Sequence, residues 1–371
     1  MTSLSPALLP EGLRDRLPPE AAALGRARGA VLWVTELNGY ARVEPPLAEF
    51  EANLVGRLKS SRAQDLLRVV DPVSQRTLAL RPDITAQVGR IAATRLGRRT
   101  RPLRLCYAGQ VVKVRGTQLR PEREMCQAGA EIIGLDSVDA VIEAIRVALD
   151  ALANAGAQGL AVDLTLPDLV PLLAAGPMPV AGDIEALSAA LDGKDAGALA
   201  ALGGRAYLPL LAATGPLDAA IATLEALPGH ALLATRIAAL RRIAAAIGDR
   251  ASVTLDPTER HGFEYQSWIG FSFFVAGTRG EIGRGGSYSI VHPDGREEPA
   301  VGFSLYLDPL VEAGIRPFDR DRVFLPAGTD PAVGAMLRAE ARATVAQLSP
   351  GDDPAALGCT HVWDGQAARP L

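Results

Sequence analysis

Residues 103–114, LRLCYAGQVVKV, read as a β-strand, and so do residues 124–133, EMCQAGAEII. The polar loop RGTQLRPER at 115–123 joins them, so the pair forms a long-looped antiparallel hairpin. Downstream, Asp136 and Ser137 cap a helix that carries Val138, Val141, Ile142, Ile145, Leu149 and Leu152 at helical spacing. A strand near Leu160–Thr165 follows. From about residue 166 to 250 the composition shifts to Ala and Leu with Gly and Pro breaks, which reads as a small helical insertion. Strands return at Ser252–Asp256, Phe263–Ala276, Glu281–Ile290 and Ala300–Leu305. The last stretch reads as VFLPAG, a helix near 331–347, a Pro/Gly/Asp break and CTHVWDG, a β-α-β unit.

Upstream of the hairpin, residues 83–96 read as a helix with Asp83 complementing its positive end. Before it, LLRVVDP and TLALRP form a second hairpin turning through Val73-Ser74-Gln75, and a helix is expected near Leu47–Leu58. A short strand near Tyr40–Val43 is broken by Pro45-Pro46. The first helix lies between Pro18-Pro19 and Asn38-Gly39, with Leu24, Ala27, Val31, Val34 and Leu37 on one face. Strands clustered early and late with helices packed beside them predict an α+β fold, an antiparallel sheet flanked by helices, rather than a doubly wound sheet. Two domains are expected, residues 1–320 with the insertion and residues 321–371 as a small α/β remnant.

The composition narrows the function classes. No run of about 18 apolar residues reads as a membrane span, and the N-terminal MTSLSPALLPEG lacks the layout of a signal peptide. Three cysteines, Cys106, Cys126 and Cys359, argue against a disulfide framework and for a reducing, cytoplasmic setting. The four histidines lie far apart, and no Cys/His spacing resembles a metal site. The net charge of −4 hides an asymmetry: Arg57–Arg123 holds 16 Lys or Arg against four acids, net +12, so the remainder is net −16. Such a segment suits an anionic ligand, or its arginines pair with acids elsewhere in the fold. Gly283-Arg284-Gly285-Gly286 reads as lying between strands, so no phosphate-binding glycine fingerprint follows a strand.

Seven segments in order resemble the catalytic core of histidyl-tRNA synthetase, a class II synthetase fold. They are LPEGLRDRLP, TLALRPDIT, RLCYAGQVVKVR, REMCQAGAEIIG, HGFEYQSWIGF, GRGGSY and PAVGFSLYLDPL, spanning roughly residues 8–310. The resemblance implies a histidine-binding pocket. Asp83 stands where the family has a Glu that helps hold the amino group. Gln127 and Glu131 match histidine-contacting positions and, four apart on a strand, face one side. Thr85 and Tyr107 are their neighbours, and His261 and Tyr265 fall in the family's histidine-specific arginine motif, normally Arg-Gly followed by an acid and two tyrosines, which here reads His261-Gly262-Phe263-Glu264-Tyr265-Gln266, with His261 in place of the Arg and Arg260 one place earlier. Glu131 can equally be a paired strand carboxylate and Gln127 an ordinary polar residue.

The same resemblance exposes losses. Lys113 occupies the place of a phosphate-binding Arg, and Lys lacks the planar fork of Arg. Arg115 and Arg123 remain as anion-binding candidates. The Gly-Gly-Arg-Tyr-Asp motif reads Gly285-Gly286-Ser287-Tyr288-Ser289, and the Glu-Arg that closes motif 3 reads Asp308-Pro309. The tail is about half an anticodon-binding module. These departures are similar to the branch of the family that regulates ATP phosphoribosyltransferase. That branch implies a non-catalytic subunit without cofactor or metal and a short-form catalytic partner. It also implies a homodimer within a larger hetero-oligomer, and histidine as effector. The alternatives are a working histidyl-tRNA synthetase, or a paralogue that binds histidine or nucleic acid.

Overall fold

The computed structural model describes residues 8–54, 66–116, 120–228, 230–260, 266–315 and 320–371. His261 and Tyr265 lie outside the described residues, as do the first residues of the strand expected from Phe263. The chain divides into two compact units, Met1–Pro317 and Phe318–Leu371.

The first unit begins with α1 (Glu20–Leu37), β1 (Ala41–Arg42), β2 (Ala48–Phe50), α2 (Glu51–Leu54), β3 (Arg68–Val70), β4 (Thr77–Leu80) and α3 (Thr85–Thr94). The hairpin β5 (Leu103–Val112) and β6 (Glu124–Ile133) leads into α4 (Val138–Asn154) and β7 (Leu160–Thr165). The insertion supplies α5 (Leu169–Ala174), α6 (Ile184–Asp192), α7 (Ala196–Ala201), α8 (Leu208–Ala212), β8 (Gly215–Pro216), α9 (Leu217–Glu225) and α10 (His230–Ile247). Then follow β9 (Ser252–Leu255), β10 (Gln266–Val275), β11 (Gly283–Val291), β12 (Glu297–Tyr306) and α11 (Asp308–Glu312).

Nine strands form one sheet in the order β1-β5-β6-β12-β11-β10-β7-β9-β8. Its middle is antiparallel from β5 to β7, and the pairs β1/β5 and β7/β9 are parallel. Because side chains alternate along a strand, β6 sends Cys126, Ala128, Ala130 and Ile132 to one face, where they pack with Leu24 and Val31 of α1 and Val141, Ile145 and Leu149 of α4. The other face receives Met125 and Ile133, which pack with Val88 and Ala92 of α3. The insertion helices extend the first of these cores through Leu187, Leu210, Leu224 and Leu240. The Ala/Leu composition therefore builds a further layer on the same core, not a separate body.

Local chemistry explains the boundaries. Ser137 Oγ accepts the Ala140 N–H and starts α4. Asp136 does not cap the helix with it; its carboxylate accepts the Trp268 indole N–H at 2.8 Å. The Asp71 carboxylate accepts the backbone N–H groups of Val73 and Ser74 and closes the β3–β4 turn. Two expectations fail. Residues 48–50 are not helical: they pair with β4, and the helix keeps only Glu51–Leu54 among the described residues. Gly283–Gly286 lie inside β11, not between strands.

The second unit holds β13 (Arg322–Leu325), α12 (Pro331–Ala339), β14 (Ala343–Ala346), β15 (His361–Trp363) and β16 (Ala368–Pro370), in the sheet order β14-β13-β15-β16. The helix expected to reach 347 stops at Ala339. Ala341 takes φ 62°, and residues 343–346 pair in parallel with β13. A ladder partner distant in sequence outweighs alanine's helix propensity there.

Much of the basic segment is consumed by the fold. Arg68 pairs with Glu51, Arg90 with Glu49, Arg101 with Glu298 and Arg104 with Glu143. Arg81, buried, gives its guanidinium to the carbonyls of Gln110 and Pro45 and to Gln87.

Candidate functional site

The face of the sheet that carries α3 also carries the candidate site, and strand register assembles it. One row across the sheet reads Leu105, Glu131, Gly302, Gly286, Gly270 and Thr165. Three consecutive glycines leave a side-chain-free floor beside Glu131. A Cβ on Gly302 would stand 1.6 Å from Glu131 Oε2, and one on Gly286 would stand 1.5 Å from Gln266 Oε1. Glycine inside a strand weakens it and marks a close approach; here it seats two polar side chains flat on the sheet.

The next row brings Tyr107, Gly129, Ser304, Arg284, Ser272 and Asp163 abreast. Gly129 has the same role: a Cβ there would meet the Tyr107 hydroxyl at 2.6 Å. Tyr107 donates to Glu131 Oε1 at 3.0 Å, and Tyr288 donates to Glu131 Oε2 at 2.8 Å. The Tyr107 and Ser304 hydroxyls lie 2.8 Å apart, and those of Thr85 and Tyr107 3.1 Å apart. Gln127 Nε2 donates to Ser304 Oγ and to Asp83 Oδ2, both at 2.7 Å, while its Oε1 accepts the Ile84 N–H. The other oxygen of Asp83 accepts the Thr85 N–H at 2.6 Å and turns the chain into α3. Asp83, Thr85, Tyr107, Gln127 and Glu131 thus form one continuous network with Ser304 and Tyr288. A narrow gap of about 10 Å³, room for about one water, lies among Thr85, Glu131, Gln266, Arg284, Tyr288 and Ser304.

The electrostatics of this network are uneven. Burial pushes the Glu131 carboxyl up to about 8, against the pull of the two tyrosine hydroxyls, with Asp83 adding repulsion. Burial likewise holds the Tyr107 phenol well above its ordinary range, with Glu131 and Asp83 reinforcing it. A carboxyl kept protonated in a closed site ionises when a cation arrives, because the cation restores what burial removed. The arrangement is therefore an acceptor set for a positively charged, N–H-bearing ligand.

The anion candidates do not gather into a comparable site. Burial lowers the Lys113 ammonium, and Arg284 and Arg120 add repulsion; its Nζ stands 5.6 Å from the Tyr306 ring. Arg123 spends Nε on the Lys113 carbonyl and Nη1 on the Glu11 carbonyl, both at 3.1 Å. Arg115 is exposed. At the motif 3 position, Asp308 is buried and turned to scaffolding: Oδ1 receives Arg16 at 2.7 Å, and Oδ2 receives the Cys126 N–H at 2.6 Å. Pro309 follows it in α11. Arg14 pairs with Glu312 on the same helix, so the LPEGLRDRLP segment is fastened against α11.

Ser304, Tyr288 and Gln266 were absent from the candidates read from the sequence. A signal existed in the glycines that interrupt strand patterns at 270, 286 and 302, because such positions mark where a side chain from a neighbouring strand lies across the sheet. The identity of that side chain needs the register.

Residues 12–310 match the histidyl-tRNA synthetase family. Histidyl-tRNA synthetase from Nostoc sp. has the same fold, with a TM-score of 0.77 over 96% of this chain and 90% of that one at 16% identity. The chain belongs to this class II synthetase-like family. Within it, the chain is 43% identical to the ATP phosphoribosyltransferase regulatory subunit of Rhodospirillum centenum over 98% of this chain and 96% of that protein. The corresponding subunit of Paramagnetospirillum magneticum is 42% identical over 97% and 96%. A solved structure from Bacillus halodurans, described as an ATP phosphoribosyltransferase regulatory subunit/histidyl-tRNA synthetase, superposes with a TM-score of 0.76, covering 96% of this chain and 97% of that one at 25% identity. The chain is a member of the ATP phosphoribosyltransferase regulatory subunits.

Proposed function

We propose that this chain completes ATP phosphoribosyltransferase by assembling with a short catalytic subunit, serves the first step of histidine biosynthesis, and couples that step to histidine. The observation that carries the reading is near-full-length similarity to proteins of that name, at 43% identity. The site supports it: the acceptor network persists, while the motif 3 position holds Asp308 and Pro309 bound into scaffolding. Asp83 and Glu131 receive the ammonium of histidine, with Thr85, Tyr107 and Gln127 holding them in place. His261 and Tyr265 stay candidates on the sequence motif alone. Lys113, Arg115 and Arg123 serve at most as weak anion contacts. The physical content of regulation is linkage, since histidine must bind one conformation of the complex better than another. The chain acts in the cytoplasm as a homodimer that docks catalytic subunits into a larger hetero-oligomer. No helix among the described residues is long and apolar enough to cross a membrane.

The test is to mix the chain with the short phosphoribosyltransferase encoded in the same genome. Light scattering should report a larger species, and phosphoribosyl transfer should rise on mixing and fall with added histidine. Separate elution with unchanged activity refutes the reading.

A further inference from the structure

The fold consumes much of the basic segment but not all of it. Arg95, Arg98 and Arg99 are exposed at the end of α3, and among the described residues no carboxylate pairs with them. Like charges gathered this closely repel one another, a cost that something must offset. The helix end does not. Its dipole favours Arg95, at the C-cap, but the effect falls off beyond the last turn, where Arg98 and Arg99 stand. The carbonyls that a terminal arginine would serve are taken by another residue. Arg101 donates from Nη1 to the Leu96 and Arg99 carbonyls, both at 3.0 Å, and from Nη2 to the Ala92 carbonyl at 3.3 Å.

Arg101 is itself held. Its Nη2 donates to Glu298 Oε2 at 3.0 Å, and that oxygen stands 2.8 Å from His292 Nε2. Glu298 and His292 are both buried. Arg101 also lies against Gly134, where a Cβ would stand 2.5 Å from its Cγ. The backbone that carries Arg98 and Arg99 is therefore pinned to the sheet. An arginine on a loose loop is ordinary surface. On a fixed backbone, less freedom is lost when the side chain is engaged.

A planar guanidinium matches a carboxylate or a phosphate through two parallel hydrogen bonds. The surroundings separate the two. β12, which supplies Glu298, also exposes Glu297, and the turn before it exposes Asp294. Further along the chain, Arg104 is committed to Glu143. The basic patch is thus short and edged with acids, and the chain outside residues 57–123 is net −16. A nucleic acid backbone calls for a continuous basic track. A protein surface with a few carboxylates does not, and arginine amid mixed charge suits such an interface.

We infer that Arg95, Arg98 and Arg99 form a docking surface for a carboxylate-bearing patch of the short catalytic subunit. The inference rests on the regulatory-subunit reading and adds to it where the partner binds. The patch lies at the opposite end of α3 from Thr85, and a helix of 10 residues is about 15 Å long. The partner therefore docks away from the candidate pocket.

The experiment mixes the full chain with the short phosphoribosyltransferase of the same genome and measures the affinity of assembly by sedimentation and light scattering. The variants are Arg95→Glu/Arg98→Glu/Arg99→Glu, Arg95→Lys/Arg98→Lys/Arg99→Lys and Arg98→Gln/Arg99→Gln. The charge-reversed chain should assemble at least about tenfold more weakly, and the lysine chain should keep most of the affinity. Raising salt from about 0.05 to about 0.5 M should weaken the unmodified pair far more than the reversed one. The urea midpoint of the reversed chain alone should not fall, because exposed charges contribute little to stability. Unchanged assembly of the reversed chain overturns the docking surface and leaves the regulatory reading standing. If the unmodified chain does not assemble with the catalytic subunit, the regulatory reading fails and the docking surface falls with it. A short RNA duplex that binds the unmodified chain and not the reversed one, with assembly equal in both, also overturns the inference. Should the reversed chain not fold, unweakened assembly of Arg98→Gln/Arg99→Gln is the result that overturns it.

Discussion

The two ends of the synthetase-like cleft have diverged in opposite ways. At the Glu131 end, buried hydroxyls, an amide and two carboxyls form a hydrogen-bonded set on a glycine floor, with acceptor capacity left over at Gln266. At the Asp308 end, the charged groups satisfy one another or the backbone: Arg16 and the Cys126 N–H saturate Asp308, and Arg123 is drawn onto two carbonyls. One end has kept polar groups that a ligand can complete. The other has converted its polar groups into scaffold, which needs no ligand. The two arrangements can differ because they depend on different strands and helices.

The largest effect that would sharpen this contrast is on stability at the scaffold end. Removing one partner of a buried ion pair typically costs about 3–5 kcal/mol, and Asp308 also holds a backbone N–H. Asp308→Ala should lower the denaturation midpoint strongly by urea titration. A loss below about 1 kcal/mol would show that the Asp308 end is not scaffold.

Next comes binding at the opposite end. A charge-assisted contact is worth about 1.5–3 kcal/mol, so Glu131→Ala should weaken histidine about tenfold or more by calorimetry. Asp308→Asn, which keeps an acceptor for Arg16, should leave histidine affinity within about twofold. Equal losses in both variants would erase the distinction between the two ends.

The pH dependence follows from the raised Glu131 carboxyl. Its folded value of about 8 lies above the ordinary carboxylate value of about 4.3 in the unfolded chain. The folded state thus binds this proton more tightly, so the contribution is fully present below about pH 4.3 and is lost as pH rises through about 8. Relative to the unmodified chain, Glu131→Gln should gain stability across that window. Histidine affinity should rise between pH 6.5 and about 8 as Glu131 ionises, and Glu131→Gln should flatten that rise. Parallel profiles in the two proteins would place the titrating group elsewhere.

The smallest expected signal is in the old chemistry. With Pro309 at the motif 3 position and the Lys113 ammonium buried and lowered, histidine-dependent ATP–pyrophosphate exchange should stay at background. Lys113→Arg alone should not raise it. Exchange at synthetase-like rates would mean that the scaffolded end still works.

The central hairpin, α4, the insertion and the order of the motifs were all legible in the sequence, because local periodicity, capping residues and motif order are properties of the chain itself. Gln127 and Glu131 were correctly read as sharing a face, since strand alternation fixes that without a partner. The Leu47–Leu58 helix and the helix to 347 were misread. Residues 48–50 and 343–346 are strands only because β4 and β13 lie beside them. The basic segment showed its charge in the sequence, but the acids that consume it, Glu143 and Glu298, come from distant parts of the chain.

By itself, then, the sequence determined the α+β class, the family likeness and the identities of Lys113, Asp308 and Pro309 within its motifs. Each of these is carried by residue identity and order along one dimension. Only the tertiary structure decided that Gly302 and Gly286 form a floor beneath Glu131 and Gln266, that Ser304 and Tyr288 join the network, and that Asp308 holds Arg16. Those relations depend on strand register and on which buried polar atoms remain without partners, and both are fixed when distant segments pack together.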